Sequence, residues 1–208
     1  MASSKAYDLT VYGATGFTGK LCVEYLVSHP DSGSFKWAIA GRSESKLQSL
    51  KSSYKLPDSV GVFTADNSIE DDAKSGREAM VGGSKVILNL VGPYTLHGSI
   101  RLAKLCAARG THYTDLSGES LFNAELQKDL DGVAAKSGAI LAPSVGFDSI
   151  PADLTTYLGV RHLRQKARKE GLTIKSLDAR CGNAVMGGVS RLIPSKEGEC
   201  KIALDFQC

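Results

Sequence analysis

Seven residues near the N terminus have the types and spacing that bind a phosphate. The run Gly13-Ala14-Thr15-Gly16-Phe17-Thr18-Gly19 follows a strand-like segment, Tyr7–Tyr12, and precedes a helical pattern that ends at Pro30. Glycines at such a junction let backbone N–H groups and a helix N terminus approach a phosphate without Cβ atoms in the way. Strand, glycine turn and helix form the opening unit of a dinucleotide-binding fold, so we expect residues 13–19 to hold a pyrophosphate.

The glycine run has two other possible interpretations. A phosphate loop for ATP or GTP needs a glycine at position 14 and Ser or Thr after Lys20, but the chain has Ala14 and Leu21. The spacing Gly-x-x-Gly-x-x-Gly also differs from the commoner Gly-x-Gly-x-x-Gly, so the run alone does not settle the assignment. A tight strand-to-helix turn without a ligand is the remaining alternative.

The residues after the second and third strand-like segments, 36–40 and 60–65, indicate which nucleotide is bound. An acidic residue after the second strand selects the free 2′-hydroxyl of NAD, whereas an arginine accommodates the 2′-phosphate of NADP. The chain has Arg42-Ser43 there, which favours NADP(H) because Arg42 can bind a phosphate through two N–H groups and Ser43 can donate to it. The alternative is that Arg42 is a solvated loop charge. Asp66, after the third strand, is expected beside the adenine or in an Asx turn.

A second cluster of candidate residues follows the fourth and fifth strand-like segments. Val91-Gly92-Pro93-Tyr94 leaves the fourth, and Asp115 ends the fifth. Ligands of open α/β sheets bind at the carboxyl ends of the strands, so we expect residues 91–94 to border the nicotinamide. Tyr94 and Asp115 are the candidate catalytic residues, as proton donors, although a packed loop aromatic is the alternative for Tyr94. Glu119 follows the fifth segment and is expected either at the same edge of the sheet or as a cap in the first turn of a helix.

Other chemistries lack their residues. A short-chain dehydrogenase places a catalytic tyrosine four residues before a lysine, and no tyrosine of this chain has lysine at that offset. No Ser-His-Asp or Cys-His arrangement stands out. The 4 histidines show no metal-ligand spacing, so no metal site is expected.

Strand and helix signals alternate along most of the chain. Six strand signals separated by helical patterns predict an α/β fold with a Rossmann-type, doubly wound parallel sheet. One of the helices is expected over residues 69–80. After Gly171 a strand-like segment, Leu172–Arg180, predicts the start of a second α/β domain. We therefore expect an NADP-binding domain over residues 1–165 and an incomplete second domain over residues 166–208.

Composition excludes several classes of partner. The 208 residues are 42% hydrophobic and 23% charged, as in ordinary globular proteins. A net charge of +3 is too small to predict binding to nucleic acid. The first residues lack the apolar segment of a signal peptide, and no run is long enough to span a membrane. Five widely spaced cysteines without a Cys-x-x-Cys pair favour an intracellular, cytoplasmic protein.

Five sequence blocks together resemble the saccharopine-dehydrogenase-like oxidoreductases, a family that includes the trans-acting enoyl reductases of lipid assembly. The blocks are the glycine run at 13–19, Ala40-Gly41-Arg42-Ser43, Asn89–Tyr94, Gly110–Glu119 and Gly146–Asp153. The resemblance implies an NADP-binding Rossmann domain, a role in hydride transfer, and a place in lipid or glycolipid metabolism. It also implies peripheral association with lipid droplets or membranes as an alternative location.

The chain departs from this family beyond about residue 190. Family members are longer, with a second α/β domain that closes the substrate cleft and often mediates dimerisation. We therefore expect a C-terminally truncated member, with an unknown small-molecule or lipid substrate and a homodimer in a full-length form. The alternative is a non-catalytic module that binds NADP(H) or another protein.

Overall fold

The computed structural model describes residues 5–171, 180–185, 192–194 and 200–207. By its backbone contacts the chain divides into two compact units, Met1–Gly146 and Phe147–Cys208. The predicted division into an NADP-binding domain, residues 1–165, and a second domain, residues 166–208, stays a prediction.

The first unit alternates strands and helices. Its elements are β1 (Tyr7–Tyr12), α1 (Phe17–Ser28), β2 (Trp37–Gly41), α2 (Glu44–Ser53), β3 (Gly61–Thr64), α3 (Arg77–Gly83), β4 (Ser84–Asn89), α4 (Ser99–Arg109), β5 (His112–Asp115), α5 (Ser120–Ser137) and β6 (Leu141–Ala142). The strands pair in the order β3-β2-β1-β4-β5-β6, and every neighbouring pair is parallel. This is the Rossmann order, which confirms the predicted fold class.

The sheet has a buried core on each face because alternate strand residues point to opposite sides. Val11 and Ile39 pack with residues of α1 and α2 on one face. Their neighbours Tyr12 and Ala40 pack with residues of α3, α4 and α5 on the other. Two covered faces are what a parallel sheet requires, and they leave the strand ends as the place for a ligand.

The helix predicted over residues 69–80 is wrong for most of its length, because α3 begins only at Arg77. The segment before it is held by side chains that bond to nearby backbone. The buried Arg77 guanidinium donates to the carbonyl oxygens of Asp66 at 2.8 Å and Glu70 at 3.1 Å, and pairs with Asp72 at 2.6 Å. The Asp71 carboxylate accepts from two following backbone N–H groups. Such local bonds compete with helix formation.

The second unit contains α6 (Ile150–Lys169), β7 (Arg180–Val185), β8 (Leu192–Pro194) and β9 (Cys200–Gln207). These strands form a sheet in the order β7-β9-β8. The strand predicted over Leu172–Arg180 lies outside the described residues except for Arg180, where β7 begins. In the described part of the chain, none of the helices combines the length and the apolar character needed to cross a membrane.

Candidate dinucleotide-binding site

The glycine turn, residues 13–19, joins β1 to α1 and depends on two of its glycines. Gly13 has φ +90°, a conformation that side chains rarely adopt, and a Cβ there would lie 2.8 Å from Cγ2 of Val91. A Cβ on Gly19 would overlap the carbonyl oxygen of Gly13. The glycines thus bring α1 against the turn, and the turn against the strand exit that includes Val91.

Only part of the turn's backbone can reach a ligand. The N–H groups of Gly13 and Ala14 both donate to the carbonyl oxygen of Ala40, at 2.9 and 3.1 Å. The Gly16 N–H donates to the carbonyl oxygen of Gly13 at 2.9 Å. The N–H groups of these three residues are therefore used within the turn itself, and a contact between these residues and a pyrophosphate stays a prediction.

Four other N–H groups of the turn have no hydrogen-bond partner among the described residues. We call them the open amides; they belong to Thr15, Phe17, Thr18 and Gly19. The first turn of α1 has neither a side-chain cap nor an acidic residue, so its positive end is uncompensated.

The open amides fit the diphosphate that the fold implies. Gly16, Phe17 and Thr18 are exposed, so a ligand has access to this end of the helix. A Cβ at Gly13 or Gly19 would meet backbone or Val91, so the cradle depends on bare backbone. Donors, positive partial charge and bare backbone are together what a diphosphate needs.

Arg42 and Ser43 follow β2 at the same edge of the sheet. Arg42 is exposed and makes no hydrogen bond or ion pair within the described part of the chain. Ser43 caps α2, since its Oγ accepts from the Lys46 N–H at 3.5 Å. The predicted cap is therefore confirmed, and the Ser43 hydroxyl also lies 3.2 Å from the Ser45 hydroxyl, with either group able to donate.

Asp66 forms the Asx turn that was one of its two predicted roles. Its Oδ1 accepts from the Ser68 N–H at 2.9 Å and from the Ser68 hydroxyl at 2.8 Å. The Ser68 N–H above all holds the pKa of Asp66 below its usual value, and the Arg42 and Arg77 charges act in the same direction. A contact between Asp66 and an adenine stays a prediction.

Tyr94 is packed into the protein just after the exposed pair Gly92 and Pro93. It is 4% exposed and stacks on Phe122 with ring centroids 5.7 Å apart. Its hydroxyl donates to the carbonyl oxygen of Asn89 at 3.1 Å and accepts from the Leu116 N–H at 3.4 Å. Burial raises its pKa to about 12. These contacts match the packed-aromatic alternative, and a catalytic role stays a prediction.

Asp115 is buried and uses its carboxylate to hold two loops. One oxygen accepts from the Tyr113 hydroxyl at 2.7 Å. The other accepts from the N–H groups of Ser117 at 2.9 Å and Ser144 at 2.8 Å. Only 1% of Asp115 is exposed, so these contacts describe a residue that positions the loops after β5 and β6. Its role as proton donor stays a prediction.

Glu119 follows β5 as predicted, but its carboxylate has partners that the sequence did not indicate. It stands at the N-cap of α5 but makes no side-chain cap, so the predicted capping role is wrong. Its carboxylate instead accepts from the N–H groups of Tyr94 at 2.6 Å and Thr95 at 3.0 Å, and from the Thr95 hydroxyl. The Thr95 hydroxyl, followed by these two N–H groups, holds the pKa of Glu119 below its usual value. The partners are 24 and 25 residues away, so no local pattern could have indicated them.

The structure brings most predicted residues to one edge of the sheet. The glycine turn follows β1, Arg42 follows β2, Asp66 follows β3 and residues 91–94 follow β4. Because the strands are parallel, these positions share the carboxyl edge, with the crossover in strand order between β1 and β4. Among the described residues, no group of three or more His, Cys, Asp or Glu side chains could hold a metal ion.

Comparison with known proteins agrees with this arrangement. A family model described as saccharopine dehydrogenase NADP binding domain matches residues 9–174. The match confirms the predicted cofactor, NADP(H), and the predicted family resemblance.

Two curated relatives and one solved structure illustrate the similarity. A trans-acting enoyl reductase of Mycobacterium tuberculosis is 39% identical over 158 residues, 74% of this chain and 36% of the relative. A lipid droplet localized protein of Caenorhabditis elegans is 35% identical over 160 residues, 76% of this chain and 36% of the relative. The leucoanthocyanidin reductase–NADPH complex from Vitis vinifera aligns with TM-score 0.43 and 15% identity, over 65% of this chain and 48% of that one. The match thus spans 36% of the length of both curated relatives.

Proposed function

The chain belongs to the saccharopine dehydrogenase NADP-binding domain family, and from this premise we propose that it holds NADP(H) for hydride transfer to or from a small or lipid-linked substrate. The observation that carries the proposal is the set of open amides at the N terminus of α1. They stand at the same sheet edge as the exposed Arg42, so the edge offers donors for a diphosphate and a cation for a further phosphate.

Each part of the edge has its own task in this proposal. The open amides donate to the diphosphate, and the positive end of α1 adds to the attraction. Arg42 pairs with the 2′-phosphate, and the Ser43 hydroxyl donates to it while its oxygen keeps the α2 cap. Asp66 lies beside the adenine. The bound coenzyme supplies or accepts the hydride.

The nicotinamide half belongs at the exit of β4. Gly92 and Pro93 are exposed there, so a flat ring and a substrate have access to the backbone. Tyr94 and Asp115 are the predicted catalytic residues, although their buried contacts support positioning roles equally well. The name of the Mycobacterium tuberculosis relative, a trans-acting enoyl reductase, supports an activated double bond as the group that is reduced.

Peripheral association with lipid droplets or membranes is also part of the proposal. It is supported by the name of the nematode relative, a lipid droplet localized protein. A homodimer belongs to the proposal only for a longer form of the chain.

Arg42→Ala tests the 2′-phosphate assignment. We expect NADPH to bind at least about tenfold more weakly, because a charge-assisted contact contributes roughly 1.5–3 kcal/mol. NADH binding should be nearly unchanged, since NADH has no 2′-phosphate. Calorimetric titration of both nucleotides measures the difference, with Lys128→Ala, which removes an exposed cation on α5, as the control. Equal losses for NADPH and NADH would refute the role of Arg42.

A second candidate function is a module that binds NADP(H) without turning a substrate over. It is favoured by the buried carboxylate of Asp115, whose two oxygens already accept three hydrogen bonds from within the protein. The two functions predict the same nucleotide affinities. They differ in whether the 208-residue chain oxidises NADPH in the presence of enoyl thioesters, which can be followed by absorbance.

A further inference from the structure

The loop after β4 is held by one carboxylate from another part of the chain. We call residues 90–98 the β4–α4 loop. Glu119 Oε1 lies 2.6 Å from the Tyr94 nitrogen, and Oε2 lies 3.0 Å from the Thr95 nitrogen. The Thr95 hydroxyl donates to the same Oε2. Three donors of one loop thus converge on one side chain.

This use of Glu119 is not required by its own helix. Glu119 is the N-cap residue of α5, where an acidic side chain would ordinarily accept from the helix's first N–H groups. No such bond forms here. The carboxylate instead supports a loop that precedes it by 24 residues. Glu119, which follows β5, therefore contacts the loop after β4 instead of capping its own helix.

The held loop has one buried side and one open side. Tyr94 is anchored by its stacking on Phe122 and by its hydroxyl contacts to Asn89 and Leu116. The preceding Gly92 and Pro93 are exposed. The position of this open backbone therefore depends on the residues that hold Tyr94 and Thr95.

We propose that Glu119 is a positioning residue that fixes the β4–α4 loop and thereby sets the affinity for the nicotinamide half of the dinucleotide. The inference rests on the proposed function, since residues 91–94 border the nicotinamide only there. It assigns no role to Glu119 in binding the adenine half, because the open amides and Arg42 are held by β1, α1 and β2.

The hydrogen bonds that the Glu119 carboxylate accepts determine which substitution tests its role. In Glu119→Gln one of the two acceptor oxygens becomes an NH₂ group, which donates and cannot accept. That group would face the N–H of either Tyr94 or Thr95, so at least one bond is replaced by two opposed donors. Glu125→Gln is the matched control, because Glu125 is exposed on the same helix and makes no ion pair or side-chain hydrogen bond in the described part of the chain.

The test compares NADPH with adenosine 2′,5′-bisphosphate, which carries the adenine and the 2′-phosphate but lacks the nicotinamide. Both are titrated calorimetrically into the full chain. We expect Glu119→Gln to raise the dissociation constant of NADPH about tenfold, the equivalent of one lost charged hydrogen bond. The dissociation constant of the bisphosphate should not change. Thr95→Val, which removes only the hydroxyl donor, should give a smaller loss of the same kind.

The comparison separates positioning from general damage. Equal weakening of both ligands, or no weakening of NADPH, would overturn the role of Glu119. If Glu119→Gln does not fold, Thr95→Val decides by the same comparison. A wild-type chain that fails to bind the bisphosphate would instead refute the proposed function, and this inference with it.

Discussion

At the scale of single residues, the site depends on the absence of side chains at two glycines as much as on the side chains that are present. Gly13 and Gly19 leave space that a Cβ would fill, and this space lets α1 begin against the turn. Arg42, by contrast, contributes an exposed charge that makes no ion pair or hydrogen bond in the described part of the chain. An uncapped helix N terminus beside bare backbone, with a cation at the same sheet edge, is what a phosphorylated ligand needs.

Gly19→Ala tests the role of the bare backbone. The new Cβ would overlap the Gly13 carbonyl oxygen and press on the backbone of Ala14, so the turn or the helix must shift. We expect a loss of about 2 kcal/mol in the free energy of unfolding, typical of overpacking, together with weaker NADPH binding. Denaturant unfolding and calorimetry measure the two effects.

Gly33→Ala is the control for this substitution. Gly33 is exposed, and a Cβ there would meet nothing within 4 Å. It should leave both the stability and NADPH binding unchanged or slightly improve stability. If Gly19→Ala behaves like Gly33→Ala, the close packing of α1 on the turn is not what shapes the site.

Some residue roles could be predicted from the sequence and others could not. The glycine turn was predictable because its spacing and position after β1 are local. The use of the Gly13 and Ala14 N–H groups by Ala40 was not, since it depends on strand pairing between β1 and β2. The hydrogen-bond partners of Glu119 were not predictable either, because they lie 24 and 25 residues away along the chain.

At the scale of elements, hydrophobic patterns in the sequence correctly predicted the strands of the six-stranded sheet and most of the helices. The prediction for β1 matches the observed Tyr7–Tyr12, and Ser43 caps α2 as expected. The helix over residues 69–80 failed because Arg77, a residue that is usually exposed, is fully buried. Its guanidinium satisfies loop carbonyls and so stabilises an irregular segment between β3 and α3.

Arg77→Ala tests this account of the segment before α3. Removal of the buried guanidinium leaves two backbone carbonyls and Asp72 without their partner. We expect a loss of about 3 kcal/mol in the free energy of unfolding, measured by denaturant titration. Lys74→Ala removes an exposed cation of the same segment and should cost less than about 0.5 kcal/mol. Similar effects of the two substitutions would contradict the structural role of Arg77.

At the scale of the whole molecule, the order of strands decides where function can lie. Because β1 and β4 are neighbours, the glycine turn meets the β4–α4 loop, and Gly13 lies against Val91. Strand order is not a property of any local pattern, yet the alternation of strands and helices predicted it through the Rossmann fold. Strand order does not identify the substrate. The match spans 36% of the length of the two curated relatives.

The most direct test of the central proposal is amide hydrogen exchange, detected by NMR with and without NADPH. The open amides of Thr15, Phe17 and Thr18, which solvent can reach, should exchange rapidly in the free protein and become protected when NADPH is saturating. The N–H groups of Gly13, Ala14 and Gly16 are already bonded and should change little. Saturating NADPH that leaves these three open amides unprotected would contradict the proposal.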